Sequence, residues 1–589
     1  MLLLKRTHLV SFLVIFFLCA NISIAEVTEK WVARYNGPGN GDDRARSITI
    51  DAAGNIYVTG WNWGGSTDYD YATIKYDDNG NELWVARYNG PGNGDDRARS
   101  ITIDAEGNIY VTGWSEGIDT GEDYATIKYD GNGNELWVAR YNGPGNDLDW
   151  AWLVDTDAAG NVYVTGRSVG IGTERDYATI KYDGNGNELW VARYNGPGNY
   201  HDDAWLLAVD ALDNVYVSGS SWGIGTERDY ATVKYDANGD EQWVARYNGP
   251  GNDLEAARAM TVDNTGNIYV GGYSFGNGTF FDCATVKYDP DGNELWVARY
   301  NGPGNGDDGV FDITVDVAGS VYVTGGSEGI GTGSDYPTIK CNYLEAKVDG
   351  PLKERPKRDY ATIKYDGNGN ELWVARYNGP GNGEDRAFDI TLDVASNVYV
   401  TGYSWGSDTD FDYATIKYDT NGNEQWVARY NGPGNDTDWG RAMAMDSPGK
   451  IYVTGWSIGT GTSYDYATIK YVSIVTPALE CLTPSVPQGG KIIYNATFTN
   501  NTDLEQTFYY TSKVKLPDGS WYKGWITQPT EVTLGPQEIR AMQFTDDVHS
   551  NAYIGKYEYL GLVGLDKSTI LDYDSFYFMV TPVDVEKKE

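Results

Sequence analysis

One decapeptide, WVARYNGPGN, constrains this chain more than any other feature, because it begins at Trp31, Trp84, Trp137, Trp190, Trp243, Trp296, Trp373 and Trp426. Successive starts lie 53 residues apart, except for a step of 77 between Trp296 and Trp373. A fixed period of this size means one supersecondary unit repeated side by side, in blades or in a solenoid. At 589 residues the chain is also longer than one ordinary core sustains, so a large repeat domain or several domains are expected.

Each period reads as four strands. Arg46 to Asp51 (RSITID) and Asn55 to Gly60 (NIYVTG) are β-branched and aromatic runs joined by the turn Ala52-Ala53-Gly54. Tyr71 to Asp77 (YATIKYD) and Leu83 to Tyr88 (LWVARY) follow, separated by Asp78-Asn79-Gly80-Asn81, whose Asn-Gly step suits a tight hairpin. No stretch keeps a helical period. Four short antiparallel strands per repeat point to an all-β propeller; a β-solenoid is the structural rival, with shorter repeats that lack two hairpin turns each.

SITIDAAGNIYVTG resembles the secreted bacterial β-propeller repeat known as the SBBP repeat, and the whole unit is similar to NHL-type blades. The likeness covers roughly residues 31 to 471, with Tyr-Val steps at Tyr57, Tyr110, Tyr163, Tyr216, Tyr269, Tyr322, Tyr399 and Tyr452. It implies a fold and export, and no single activity. In such blades the ITID strand is innermost and LWVARY outermost. The eighth unit lacks an LWVARY strand, and the chain has one to spare at Trp31 to Tyr35. Eight blades are therefore expected, closed by the N-terminal strand pairing as the outer strand of the last blade, which removes unpaired edges. The outer-strand tryptophans are read as packing between blades.

One unit is irregular. Asp335 to Lys340 and Asp359 to Lys364 are two copies of one motif, and Pro337 makes the first the poorer ladder strand. Asp359 to Asp366 is expected to be the strand, with 326–358 a long, locally basic loop left by a duplication.

Lys5 and Arg6, the apolar run Leu9 to Ala20 and Ser23-Ile24-Ala25 read as a signal peptide cleaved after Ala25. The run is too short to cross a bilayer, and the expected location is secreted, periplasmic or cell-surface. Loss of two positive charges would take the net charge from −39 to −41. So acidic a protein is repelled by nucleic acid and anionic lipid, so neither nucleic-acid binding nor membrane insertion is expected, and a monomer is. Of four cysteines, cleavage would remove Cys19 and leave Cys283, Cys341 and Cys481, too few and too odd a set for a disulfide framework. The expected layout is signal peptide 1–25, propeller 26–475, β-sandwich 476–583 and charged tail 584–589. The third of these alternates apolar and polar residues in strand-length runs such as KIIYNATFTN and EIRAMQFT, and resembles immunoglobulin-like accessory modules.

Two loops per blade share one rim: the GPGN segment and the segment after the TG. Trp61, Trp63, Trp114, Trp222, Tyr273, Phe275, Tyr403, Trp405 and Trp456 are expected just after the second strand, at that rim. There they either stack on sugar rings or cap the spaces between blades. The acidic pairs Asp42-Asp43, Asp95-Asp96, Asp202-Asp203 and Asp307-Asp308 suggest Ca²⁺ only weakly, because a site needs six to eight oxygens. DGNGNE (Asp130 to Glu135) fits a hairpin turn better than a calcium loop, and no cofactor is expected. His201 and His549 lie in different domains, which leaves no histidine-based triad or zinc site. The NGNELW segment is similar to the tryptophan repeat of eight-bladed quinoprotein dehydrogenases, without their adjacent cysteine pair. Three functions stay open: an exported non-catalytic scaffold binding a glycan or surface protein, a secreted carbohydrate-active or quinone-dependent enzyme, and a purely structural envelope protein.

Overall fold

The computed structural model describes residues 27–582 apart from 330–357, 394–395, 448–449, 503, 518–519, 521, 523–525 and 565–571. The expected signal peptide and most of the duplicated segment lie outside the described residues. Every described element is a strand.

In the first unit, β1 (Val27–Tyr35) precedes β2 (Arg44–Ile50), β3 (Ile56–Trp63), β4 (Tyr69–Tyr76) and β5 (Glu82–Tyr88). The last four form an antiparallel sheet in chain order. The turns are local side-chain chemistry. Asp51 Oδ1 accepts the N–H groups of Ala53 and Asn55, and Gly54 takes a φ of 80°. Asp77 and Gly80 repeat the device between β4 and β5. An aspartate that mimics a backbone turn, followed by a residue free to enter left-handed space, sets the hairpin.

Eight such four-stranded sheets occur among the described residues, the arrangement of a β-propeller. Seven are consecutive in sequence; in the remaining one, β1 pairs antiparallel with Tyr464–Ser473, beside Lys450–Ile458 and Asp438–Ser447. The second and third strands are buried on both faces, and the core lies between sheets. One cluster joins Tyr57 and Tyr71 of the first sheet to Ala98, Val111, Ile127 and Tyr129 of the next. Neighbouring sheets are also stitched by polar contacts. Tyr71 donates its hydroxyl to the Ala125 carbonyl at 3.1 Å, and the contact recurs from unit to unit, ending with Tyr466 to Ala72 at 3.2 Å. The fifth copy has Cys283 in place of that tyrosine and cannot make the bond.

In the irregular unit the ladder strand is Arg358–Tyr365, the second copy of the motif. The expected loop of 326–358 is shorter at both ends, because Val321–Glu328 continues pairing through Gly326↔Tyr360 and Glu328↔Arg358.

Beyond Ser473 two further sheets share a core of Tyr494, Phe498, Phe508, Tyr510 and Tyr559. One holds Val475–Cys481, Lys491–Asn500 and Ile539–Asp547; the other has five strands, with Ser485–Pro487 parallel to Asp572–Thr581.

Candidate functional site

The innermost strand of each sheet carries a bulge. Pairing of β2 with β3 slips between Ala45 and Ser47, and the equivalent slip recurs in all eight four-stranded sheets. The backbone reason is visible at Gly60, where a Cβ would lie 2.0 Å from the Arg44 carbonyl. Glycine inside a strand permits this close approach, and the bulge re-aims the residue it frees. That residue is Arg46, Arg99, Trp152, Trp205, Arg258, Phe311, Phe388 or Arg441 in successive units. The strands that carry them adjoin one another from sheet to sheet, and the last, Asp438–Ser447, adjoins β2.

These residues meet the aromatics expected at the rim. The structure corrects that expectation, because the second strand runs on through Trp63: Trp61 pairs with Tyr71, and Trp63 with Tyr69. Trp61, Trp114, Tyr403 and Trp456 are strand residues only 2–3 % exposed. Trp63, Trp222, Tyr273, Phe275 and Trp405 are half-buried. Trp63, Trp222 and Trp405 lie against glycines of the GPGN loops, at Gly39, Gly198 and Gly381.

The buried group forms a ladder of cations and rings. The Arg46 guanidinium lies over Trp61 at 4.4 Å and Trp456 at 4.6 Å. Arg99 lies over Trp114 at 4.2 Å, Trp152 at 4.7 Å and Trp61 at 4.8 Å. Trp114 also stacks on Trp150 at 4.5 Å, and Tyr403 on Trp439 at 4.6 Å. Their ring faces are therefore already covered by protein. Stacking on a sugar at these positions would first require moving a guanidinium or an indole.

Charge is unevenly matched here. Burial opposes the charge of Asp203, but Arg175, Arg167 and Arg228 around it hold its carboxyl below the usual range. Arg44 pairs with Asp42, and Arg97 with Asp95. For Arg46 and Arg99 no ion pair or hydrogen bond is found among the described residues, and the Nε of each is buried. Burial, then the neighbouring arginines, pushes both guanidinium groups well below their ordinary range. Across the cluster Asp312 and Asp389 hydrogen-bond to one another, and burial raises both; the charge of Asp389 raises Asp312 further. Two carboxyls in direct contact lack the separation of ~5 Å or more that two-carboxylate glycoside hydrolysis uses.

In each acidic pair one aspartate serves the backbone and the other pairs with arginine. Asp43 accepts the N–H of Gly37 at 2.6 Å through Oδ2 and that of Trp63 at 2.9 Å through Oδ1, pinning the GPGN loop to β3. Asp96, Asp202 and Asp308 hold the equivalent glycine in their units. Asp130 likewise accepts two turn N–H groups, from Asn132 and Asn134. Among the described residues no group of three or more His, Cys, Asp or Glu side chains is arranged to hold a metal ion.

The inner cluster was missed in the sequence because each residue looked unremarkable within its own copy. Aligning the eight copies as columns would have shown it: the IYVTG and YATIKY columns barely change, whereas the positions of Arg46 and Trp61 change from unit to unit.

The SBBP family model, described as a beta-propeller repeat, matches residues 30–66, 83–118 and 242–278. An uncharacterised WD repeat-containing protein of Acanthamoeba polyphaga mimivirus is 24% identical over 425 residues, 64% of this chain and 26% of that protein. The regulatory protein FlaEY of Caulobacter vibrioides is 28% identical over 204 residues, 30% of this chain and 20% of its own. The chain thus spans about a quarter of one of these curated relatives and a fifth of the other. Among solved structures, a Dyadobacter fermentans protein of unknown function covers 76% of this chain and 99% of its own, at 9% identity and a TM-score of 0.34.

Proposed function

We propose that the eight four-stranded sheets are the blades of a propeller closed by the N-terminal strand, followed by an immunoglobulin-like sandwich. In this reading the protein is exported after cleavage near Ala25 and acts as a non-catalytic scaffold. It presents one loop rim to a surface partner, a glycan or a protein. The observation that carries the reading is on the loops after the second strand. There three successive units place Ile118, Ile171 and Ile224 at equivalent positions, exposed by 68%, 80% and 79%. Repetition would let a polar residue serve equally well, as Asn277, Ser407 and Thr460 do in other units. Exposed apolar side chains repeated on three consecutive units favour contact with another molecule. The half-buried Trp63, Trp222 and Trp405 stand just before these loops and supply aromatic surface on the same rim.

The test is retention of the full chain on a glycan panel and on cell-envelope protein, scored for cleavage as well. Retention without cleavage, abolished by combined Ile118→Glu, Ile171→Glu and Ile224→Glu, is the expected result. Cleavage of any panel member would favour an enzyme instead, and undiminished retention by the triple variant would remove the rim from the reading.

A further inference from the structure

The inner cluster has a charge that the protein itself leaves unanswered. The chain carries a net charge of −39, yet Arg46 and Arg99 sit deep in it without a carboxylate partner among the described residues. Acidic side chains are abundant, so the lack of one beside these two is a property of the site. Each guanidinium is instead held between tryptophans, with Trp61 common to both. The rings fix the two cations in place on rigid strands while leaving their charge uncancelled, since a ring face offers a partial charge only.

Repulsion makes the arrangement costly when empty. Arg44, Arg97, Arg99 and Arg441 all act on Arg46, and a guanidinium does not escape by losing its proton. Arg46, Arg99 and Arg441 are nevertheless half-buried, each retaining accessible surface although protein surrounds them. Partly accessible guanidinium groups fixed without a carboxylate among the described residues, as Arg46 and Arg99 are, have the fork geometry that suits oxyanions.

We infer that the inner cluster is a binding site for a multivalent oxyanion, held by Arg46 and Arg99 with Arg441 contributing charge from the adjoining strand. The ligand class is a small molecule or chain terminus bearing clustered phosphate, sulfate or carboxylate groups. Asp203 and Glu122 do not compete for it: the first is engaged by three arginines and the second accepts the Trp150 indole N–H. Asp312 and Asp389, bonded to one another, present less negative charge than two free carboxylates would. The inference rests on the propeller reading for the shared inner space, and is independent of what the loop rim binds.

The experiment is calorimetric titration of the full chain with inorganic pyrophosphate, sulfate and citrate at fixed ionic strength, with thermal unfolding of the same samples. Saturable binding of at least one anion is expected, weakened tenfold or more in Arg46→Gln and in Arg99→Gln. Without anion, each variant should unfold at the same temperature as the parent or a higher one, because the substitution relieves like-charge repulsion. If the arginines merely staple the tryptophans together, the variants unfold earlier and the parent shows no saturable anion binding; that result overturns the inference. Binding equally tight in both variants overturns it too. Should one variant fail to fold, the parent titration and the other variant still decide. Loss of rim retention with anion binding intact defeats only the scaffold reading; the reverse defeats only this one.

Discussion

The pairing of β1 with the end of the repeat region can be tested through one side chain. Arg34 on β1 donates from Nη1 to Ser457 Oγ at 2.6 Å and to the Tyr430 hydroxyl at 3.0 Å. Its Nη2 donates to Asp465 Oδ2 and to the Ser457 carbonyl, both at 2.9 Å. Arg246, inside the repeats, makes the same four bonds to Tyr194, Ser221 Oγ, the Ser221 carbonyl and Asp229, at 2.6–2.8 Å. The Asp465 side chain is only 6% exposed, so Arg34→Met leaves a buried carboxylate without its cation. Removing one partner of a buried pair costs about 3–5 kcal/mol. The Thr462 hydroxyl still donates to Asp465, and the Arg34 side chain keeps 23% of its exposure, which places the loss at the lower end, about 3 kcal/mol. Urea unfolding followed by tryptophan fluorescence should show the midpoint falling by a similar amount in Arg34→Met and Arg246→Met. If Arg246→Met lowers it and Arg34→Met does not, β1 is not held against Tyr464–Ser473 in solution. Deletion of β1 with no loss of midpoint would refute the pairing outright.

Two further outcomes follow from buried groups. Burial raises Asp96, Asp149, Asp202, Asp308, Asp385 and Asp438 to about 6, Asp43 to about 7 and Glu255 to about 8. A folded-state pKa above the unfolded value of about 4 means the native state binds more protons, so this stability is whole below pH ~4 and lost as pH climbs through 6 to 8. The unfolding midpoint should therefore drop between pH 5.5 and 8; a rise across that interval would contradict the assignment. Gly113→Ala would put a Cβ 2.0 Å from the Arg97 carbonyl, where strand backbone must move, so a loss of roughly 1–3 kcal/mol is expected. An alanine variant as stable as the parent would show that the bulge is not packed as described.

Much of the fold was legible because its causes are local. Asp51, Gly54, Asp77 and Gly80 set their turns by bonds reaching no more than four residues, and the runs between them have the composition of buried strands. Legibility stopped at Gly60. Read alone, Thr59-Gly60-Trp61 looks like a strand end; against the bulged β2 it is strand interior, and Trp61 turns from a rim residue into a buried one. The duplicated segment shows the same limit, since only pairing with Val321–Glu328 defines where its strand begins.

The repeat, its four strands, its turns and the surplus strand at Trp31 were determined by sequence alone, because identical local chemistry recurs every 53 residues. Tertiary structure decided what the copies share between them. Arg46 reaches Trp456 and Arg34 reaches Asp465 across more than 400 positions of chain, and no local pattern encodes such a distance. The inner cluster exists only where strands from every unit converge, and there the copies are least alike.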